Sequence, residues 1–363
     1  MHQVRSDGSK TSYAAAVLLQ LDHVWRSSKV QGIRAAGVCF LAYLALTLWA
    51  PAASRAASTI RVLTFSYHSS KGSERTAYLV LPAWYGRVRH PPIPLVISPH
   101  GRGVSGAYNL RFWGDLPARG SFALISPDGQ GRRLPFYSWG YPGQIDDLAR
   151  MPASARKAFP WLTIDPARIY AIGDSMGGQE VLLLAARRSV RLAGAAAFDP
   201  VTDMALRYRR WSVTPGEHAL PAKARIEFGG TPTELPQAYK ARSPRTYVRA
   251  IAKSGTPLQL WWSHRDAVVT DQAAETARFY QRLIAIAPAA PVQQIVGYWQ
   301  HAHEMHPETQ LPAALACFGL IPPAGIDVPA YATQPDGSVA EQPPEQGQPP
   351  VPFGRAFCGR ASS

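Results

Sequence analysis

Ile164-Asp165-Pro166-Ala167-Arg168-Ile169-Tyr170-Ala171-Ile172-Gly173-Asp174-Ser175-Met176-Gly177-Gly178-Gln179-Glu180-Val181-Leu182-Leu183-Leu184 decides how the rest of the chain is read. Arg168–Ile172 is a short apolar, β-branched run and reads as a strand. The run from Ser175 to Arg188 reads as a helix. Between them stands Gly-x-Ser-x-Gly, a pattern that at a strand-to-helix turn presents a serine oxygen on a sharp bend. Glycines flank the serine because strand and helix pass too close there for a Cβ.

Outward from this turn, apolar strands alternate with helices. Thr59–Tyr67 and Thr76–Leu81 read as an opening pair of strands. Pro94–Ser98, Phe122–Ser126, Leu192–Phe198, Leu258–Trp262 and Val292–Val296 follow as short apolar runs. Helices are expected over Gln144–Phe159 and from about Asp271 to Ile286. Asp146 and Asp147 suit the first turn of the former, at the positive end of its dipole. The alternation implies an α/β fold: a mostly parallel sheet covered by helices on both faces. Val201–Ser254 breaks the rhythm, being polar, aromatic and basic, and a cap insertion is expected over 201–256. Pro322–Pro352 has Pro-Pro steps and few core residues and reads as an extended tail.

The whole chain has 363 residues, 46% of them hydrophobic and 17% charged, enough for one large catalytic domain with extensions. The organisation expected is a leader over 1–57, a catalytic domain over 58–321 and a Pro-rich tail over 322–363. The formal net charge is +14. Part of it lies before residue 59, where Arg5, Lys10, Arg26, Lys29, Arg34 and Arg55 face only Asp7 and Asp22. A basic surface suits anionic envelope polymers. With no basic helix, zinc spacing or RNA-binding motif, nucleic acid is not expected as a partner.

Ala35–Ala50 is apolar and uncharged, follows Lys29 and Arg34, and leads into small residues at Ala52-Ala53-Ser54. Basic flank, short apolar run and small-residue exit are the parts of a secretory signal, with an uncleaved membrane anchor as the rival reading. A secreted or cell-envelope location follows as an expectation. Cys39 lies inside the apolar run, so two cysteines remain beyond it, Cys317 and Cys358. An even pair in an exported chain suggests a disulfide that pins the tail to the domain; two free thiols are the alternative.

A serine nucleophile needs two preorganised N–H donors for the oxyanion it creates. The Met176 amide, at the helix start, is one candidate. The strand Pro94–Ser98 and the turn Pro99-His100-Gly101-Arg102-Gly103 offer the other at the Arg102 amide. His100 is expected to shape that loop. Tyr108, Phe112, Trp113, Tyr137, Trp139, Tyr298 and Trp299 fall in loops that border the site or serve as core. No glycine-rich phosphate loop or dinucleotide fingerprint is present, and the chemistry expected requires no cofactor.

From about Thr59 to Leu320 the chain resembles the α/β-hydrolase superfamily, nearest to its esterase, polyester-depolymerase and prolyl-oligopeptidase-like branch. Ile164–Tyr170, Gly173-Asp174-Ser175-Met176-Gly177-Gly178 and the His100-Gly101 turn carry that resemblance. It implies a triad in chain order Ser, acid, His. The acid in that branch follows the penultimate strand, where Ser263-His264-Arg265-Asp266-Ala267-Val268-Val269 matches its usual Gly-x-x-Asp-x-x-Val with Ser263 in place of glycine. Asp266 is preferred, with Asp203 as the rival and Asp271 as a helix cap. The base should follow the last strand, at Tyr298-Trp299-Gln300-His301-Ala302-His303-Glu304-Met305-His306. His301 is preferred and His303 is the runner-up, with His306 at the start of the next helix. The same histidines spell His-x-His-x-x-His, but Met305 stands where a two-metal hydrolase would carry aspartate, so a metal site is not expected.

These residues imply an exported serine hydrolase that cleaves carboxylic esters through an acyl-serine, its natural ester unidentified. A peptidase or acyltransferase on the same triad, and a catalytically silent homologue that binds the envelope, are the alternatives.

Overall fold

A computed structural model of the chain describes residues 59–187, 189–302, 309–328, 351–352 and 358. Chain contacts divide after Ala57, and every described residue belongs to the second unit. The apolar segment at 35–50 lies outside the described residues. Among those described, no helix is long and apolar enough to cross a membrane.

Eight strands form one sheet: β1 (Ile60–His68), β2 (Glu74–Pro82), β3 (Ile93–Ile97), β4 (Ala123–Pro127), β5 (Ile164–Asp174), β6 (Gly194–Phe198), β7 (Leu258–Ser263) and β8 (Val292–Gly297). Their spatial order is β1-β2-β4-β3-β5-β6-β7-β8. β1 and β2 form an antiparallel pair, closed by a turn in which Ser69 N–H donates to Ser73 O at 2.9 Å and Gly72 adopts φ +81°. β2 lies antiparallel to β4, and all later neighbours are parallel.

Both faces of the parallel part are covered, as its unbroken apolar runs require. Ile93, Leu95 and Ile97 of β3, with Ile169 and Ala171 of β5, join the core beneath α3 (Pro142–Ala158) and α4 (Ser175–Ala185). Val96, Tyr170 and Ile172 point the other way, into a second core closed by α10 (Gln310–Cys317). Each such Leu, Ile or Val, wholly removed from water, contributes about 1.5–3 kcal/mol. Cys317 and Cys358 are joined as a disulfide, with Cα atoms 5.2 Å apart.

Three expectations are corrected. α3 starts at Pro142, whose fixed φ suits a first turn, so Asp146 and Asp147 fall beyond that turn. Asp147 instead turns inward and accepts the Ser70 N–H at 2.7 Å; burial raises its pKa to about 6. α4 stops at Ala185, three residues early. The helix expected from about Asp271 contains a π turn at Ala273–Ala277 before α9 (Arg278–Ile286).

All eleven residues of α4 are buried, which explains its apolar sequence and exposes the anomaly of Glu180. Burial raises the Glu180 pKa to about 8, although Ser138 Oγ donates to its carboxyl. The folded state therefore favours the protonated acid, and stability falls as pH rises from the ordinary glutamate value of about 4.3 through 8. Glu180→Gln keeps an acceptor for Ser138 and removes the titration. Its Tm is expected to match the parent's at pH 5 and exceed it by about 5 °C at pH 8.5; thermal unfolding at the two pH values checks this.

Candidate active site

In a parallel sheet, all loops that follow strands gather at one end. Here those after β3 and β5 bring Arg102 and Ser175 to one cavity, and those after β6, β7 and β8 bring Asp199, Asp266 and His301 into one cluster at the same end; no hydrogen bond joins Ser175 to His301. Ser175 opens α4 with φ +53°, a left-handed conformation that a serine rarely adopts. The bend is held by close passage on both sides. A Cβ at Gly177 would lie 2.4 Å from Pro99 O, and one at Gly173 would lie 2.8 Å from the Gly177 carbonyl carbon. Trp139, Asp199 and Ala302 also carry positive φ. Backbone strain of about 1–3 kcal/mol per residue is thus gathered around one end of the sheet.

His301 Nδ1 and Asp266 Oδ2 are 2.9 Å apart. Asp266 Oδ1 accepts the Val268 and Val269 N–H groups at 2.8 and 2.7 Å, and Gln272 Nε2 donates to Oδ2 at 3.1 Å. Burial works against the Asp266 charge, yet the His301 hydrogen bond and charge, with these N–H donors, hold its pKa below the usual range. Burial likewise works against a charged imidazole, but the Asp266 hydrogen bond and charge, with Asp199 and Asp174 nearby, raise the His301 pKa. The rival acid Asp203 is engaged elsewhere. Its Oδ1 caps α5 (Met204–Trp211) through the Ala205 and Leu206 N–H groups, and Oδ2 pairs with Arg245. Asp271 precedes the helical turn and pairs with Arg210. His303 and His306 lie outside the described residues.

Arg102, Ser175 and Met176 line one small cavity with Trp139, Val201, Arg207, Trp211, Val268 and Val269. The Met176 amide lies in the first turn of α4, where N–H groups have no intrahelical acceptor. The Arg102 amide donates to no described group. Both amides are therefore free to meet a developing negative charge. His100, wholly buried, has its Nδ1 2.7 Å from Gly101 O and its Nε2 accepting Gly129 N–H at 2.8 Å, which fixes a neutral tautomer that ties two loops together. Burial lowers its pKa, consistent with a structural part. Of the seven loop aromatics, Trp139 borders the cavity, whereas Trp113 and Trp299 are core residues.

Two parts of this arrangement escaped the sequence reading. The first is the π turn, which Gln272, the brace of Asp266, directly precedes and which carries Glu275, whose Oε2 accepts Thr202 N–H at 2.8 Å. Nothing in the local pattern marks such a turn, though they recur at functional sites. The second is Asp199, the residue directly after β6. Its Oδ1 accepts Ser263 N–H at 3.0 Å, and its Oδ2 accepts Trp299 Nε1–H and Ala302 N–H, both at 2.8 Å. One carboxylate thus joins the start of the Asp266 loop to both sides of His301. Asp199, Asp266 and His301 have donor atoms within 4.8 Å of one another. All four carboxylate oxygens already accept N–H donors, so the cluster reads as a hydrogen-bond network.

Burial, then the Asp266 charge, raises the Asp199 pKa to about 7. If neutral His301 is the base, activity should fall as pH drops below a midpoint higher than imidazole's ordinary 6.5 or so. Asp199 takes up its proton in the same range, so the acid limb of kcat/KM should be steeper than one proton allows. Asp199→Asn turns one oxygen into a donor that faces other donors. It should lower kcat/KM by about 10–100-fold and leave a one-proton limb displaced to lower pH. A pH–rate profile of both proteins decides this, and an unmoved limb would remove Asp199 from the network.

A profile of the prolyl oligopeptidase family matches residues 144–311, a stretch that contains Ser175, Asp266 and His301. Among solved structures, the Pyrococcus horikoshii acylaminoacyl peptidase is 15% identical over 69% of this chain, with a TM-score of 0.53; the chain spans 39% of that protein. A Rhizomucor miehei esterase is 14% identical over 69% of this chain and 78% of its own, TM-score 0.50. The Staphylococcus aureus S-formylglutathione hydrolase is 17% identical over 67% of this chain and 93% of its own, TM-score 0.50. No curated protein matches the sequence significantly. The chain has the α/β-hydrolase fold, and its residues 144–311 are similar to the prolyl oligopeptidase family. The fold and the family match support a serine hydrolase.

Proposed function

We propose that the chain is an exported serine hydrolase acting on carboxylic esters, with Ser175, His301 and Asp266 as nucleophile, base and orienting acid. The observation that carries this reading is the 2.9 Å contact between His301 Nδ1 and Asp266 Oδ2, formed at the same end of the sheet as the strained Ser175. With Nδ1 held by the carboxylate, Nε2 is left to take the Ser175 proton as Oγ attacks the ester carbonyl. The oxyanion is met by the Met176 and Arg102 amides. Collapse breaks the ester bond and the alcohol leaves with the proton from His301. Water then attacks the acyl-serine through the same base, which releases the acid and restores Ser175.

The prolyl oligopeptidase match favours a second reading, a peptidase or acyltransferase on the same residues. Turnover of 4-nitrophenyl esters beside matched acyl anilides separates the two. Ester cleavage with anilides untouched supports the esterase, and comparable anilide cleavage supports the peptidase. Turnover that rises with an added alcohol supports acyl transfer.

Export is supported by the Cys317–Cys358 disulfide, since such bonds persist in oxidising compartments. It is also supported by the basic-apolar-small pattern before residue 58. An anionic envelope surface suits the groove where Arg209, Arg245, Arg278 and Arg282 converge.

A further inference from the structure

Along one side of the domain three grooves adjoin, and nearly every charge on their walls is positive. The first, of about 1060 Å³, lies where the chain enters β6 and β7, at the end of the sheet opposite Ser175. Its walls carry Arg187, Arg191, Arg249 and Lys253 and no acid. It meets the second at Thr246. That groove, of about 580 Å³, adds Arg209, Lys240, Arg245 and Arg282; the third shares three of these and adds Arg278. All of these cations are exposed.

Two acids reach the second and third grooves, and both are engaged. Asp203 pairs with Arg245 and caps α5. Glu275 is buried, its Oε2 accepts the Thr202 and Asp203 N–H groups, and burial raises its pKa to about 7. Arg187 stands 3.5 Å from Asp146. The remaining cations make no ion pair among the described residues. Two pairs stand four residues apart: Arg278 and Arg282 on α9, and Arg249 and Lys253 along and just past α8 (Val248–Ala252). Like charges at that spacing destabilise a helix, and a bound anion relieves the repulsion.

The extent and walls of the track select the anion. β6 has five residues and spans about 16 Å, and the grooves reach from the loop before it to the loop after it. A single small anion would leave most of the cations unmet. Concave grooves in line suit a chain better than a flat bilayer. Single-stranded nucleic acid binds by stacking on aromatic rings, but here Tyr239 and Phe279 are buried and Tyr247 is half-buried. Guanidinium groups meet carboxylates as two-pronged donors.

We propose that this track binds a linear acidic polysaccharide, its carboxylates met by cations on both sides of Thr246. Such binding rests on the anionic-surface reading above and holds whether or not Ser175 is reactive.

The test is calorimetric titration of the parent with decagalacturonate at about 50 and 200 mM salt. Binding should weaken as salt rises, and digalacturonate should bind about a hundredfold more weakly, because it cannot reach both ends. Arg191→Gln/Arg249→Gln and Arg278→Gln/Arg282→Gln neutralise opposite ends of the track. Each should lower affinity by about tenfold with an unchanged thermal melt. Arg87→Gln/Arg89→Gln removes the same charge from the loop between β2 and β3, and should change affinity by less than about twofold. No binding of decagalacturonate, a loss at one end only, or an equal loss in the control overturns the proposal. Tighter binding of a deoxythymidine decamer or of phosphatidylglycerol vesicles also overturns it. Turnover of 4-nitrophenyl acetate, measured beside the titrations, reports separately on the hydrolase reading, so either can fail alone.

Discussion

Ser175→Ala is expected to lower ester kcat/KM by about 10⁵–10⁶-fold while the protein stays folded. In the proposed mechanism the effect is large because every later step depends on the bond that Ser175 Oγ forms. Without it there is no acyl-enzyme, and the residual rate comes only from binding and the two amide donors. Folding should survive the change. Ser175 is small, no described group bonds its hydroxyl, and a methyl fits where a hydroxymethyl stood. The left-handed φ of +53° is no easier for alanine, so the strain is the same in both. Steady-state kinetics with 4-nitrophenyl esters and a thermal melt check the two halves of this expectation. A Ser175→Ala protein that retains more than about a hundredth of the parent's activity would assign the chemistry to another group.

His301→Ala should cost nearly as much, about 10⁴–10⁶-fold, because an unactivated serine hydroxyl is a poor nucleophile at neutral pH. Asp266→Asn should cost about 10⁴-fold for a different reason. The amide can still lie 2.9 Å from His301 Nδ1, but it offers a donor and reverses the tautomer, so that Nε2 carries a proton when it should receive one. Its loss also removes the charge that raises the His301 pKa. The costs should not add: the double variant Ser175→Ala/His301→Ala is expected to be no worse than Ser175→Ala alone, since the residues act as one unit. Additive losses would mean that His301 serves a separate function, such as holding the Trp299–Ala302 loop.

What the sequence disclosed follows from which interactions are local. Gly173 to Gly177 is a local device, because the bend and its close approaches to Pro99 involve residues whose types are forced by space. The alternation of apolar strands with helices is local too, and it led to the doubly covered sheet. Asp266 could be preferred to Asp203 only through a family resemblance, because both are acids in loops after strands. What separates them in the fold is distant in sequence: Arg245 draws Asp203 away, while His301 and Gln272 hold Asp266. Asp199 was illegible for the same reason. Its partners Ser263, Trp299 and Ala302 lie 64, 100 and 103 residues away, and an Asp-Pro step after a strand reads as an ordinary turn. The π turn at Ala273–Ala277 is likewise set by what Glu275 reaches, the amides of Thr202 and Asp203, and the helical pattern of the segment conceals it.

Whether Ser175 is an activated nucleophile can be read out by covalent labelling. The purified protein and its Ser175→Ala variant are treated with a fluorophosphonate probe, and the modified peptide is located by mass spectrometry. One stoichiometric adduct is expected on Ser175 in the parent and none in the variant. A folded parent that stays unlabelled, or that carries its adduct on another residue, would contradict that assignment.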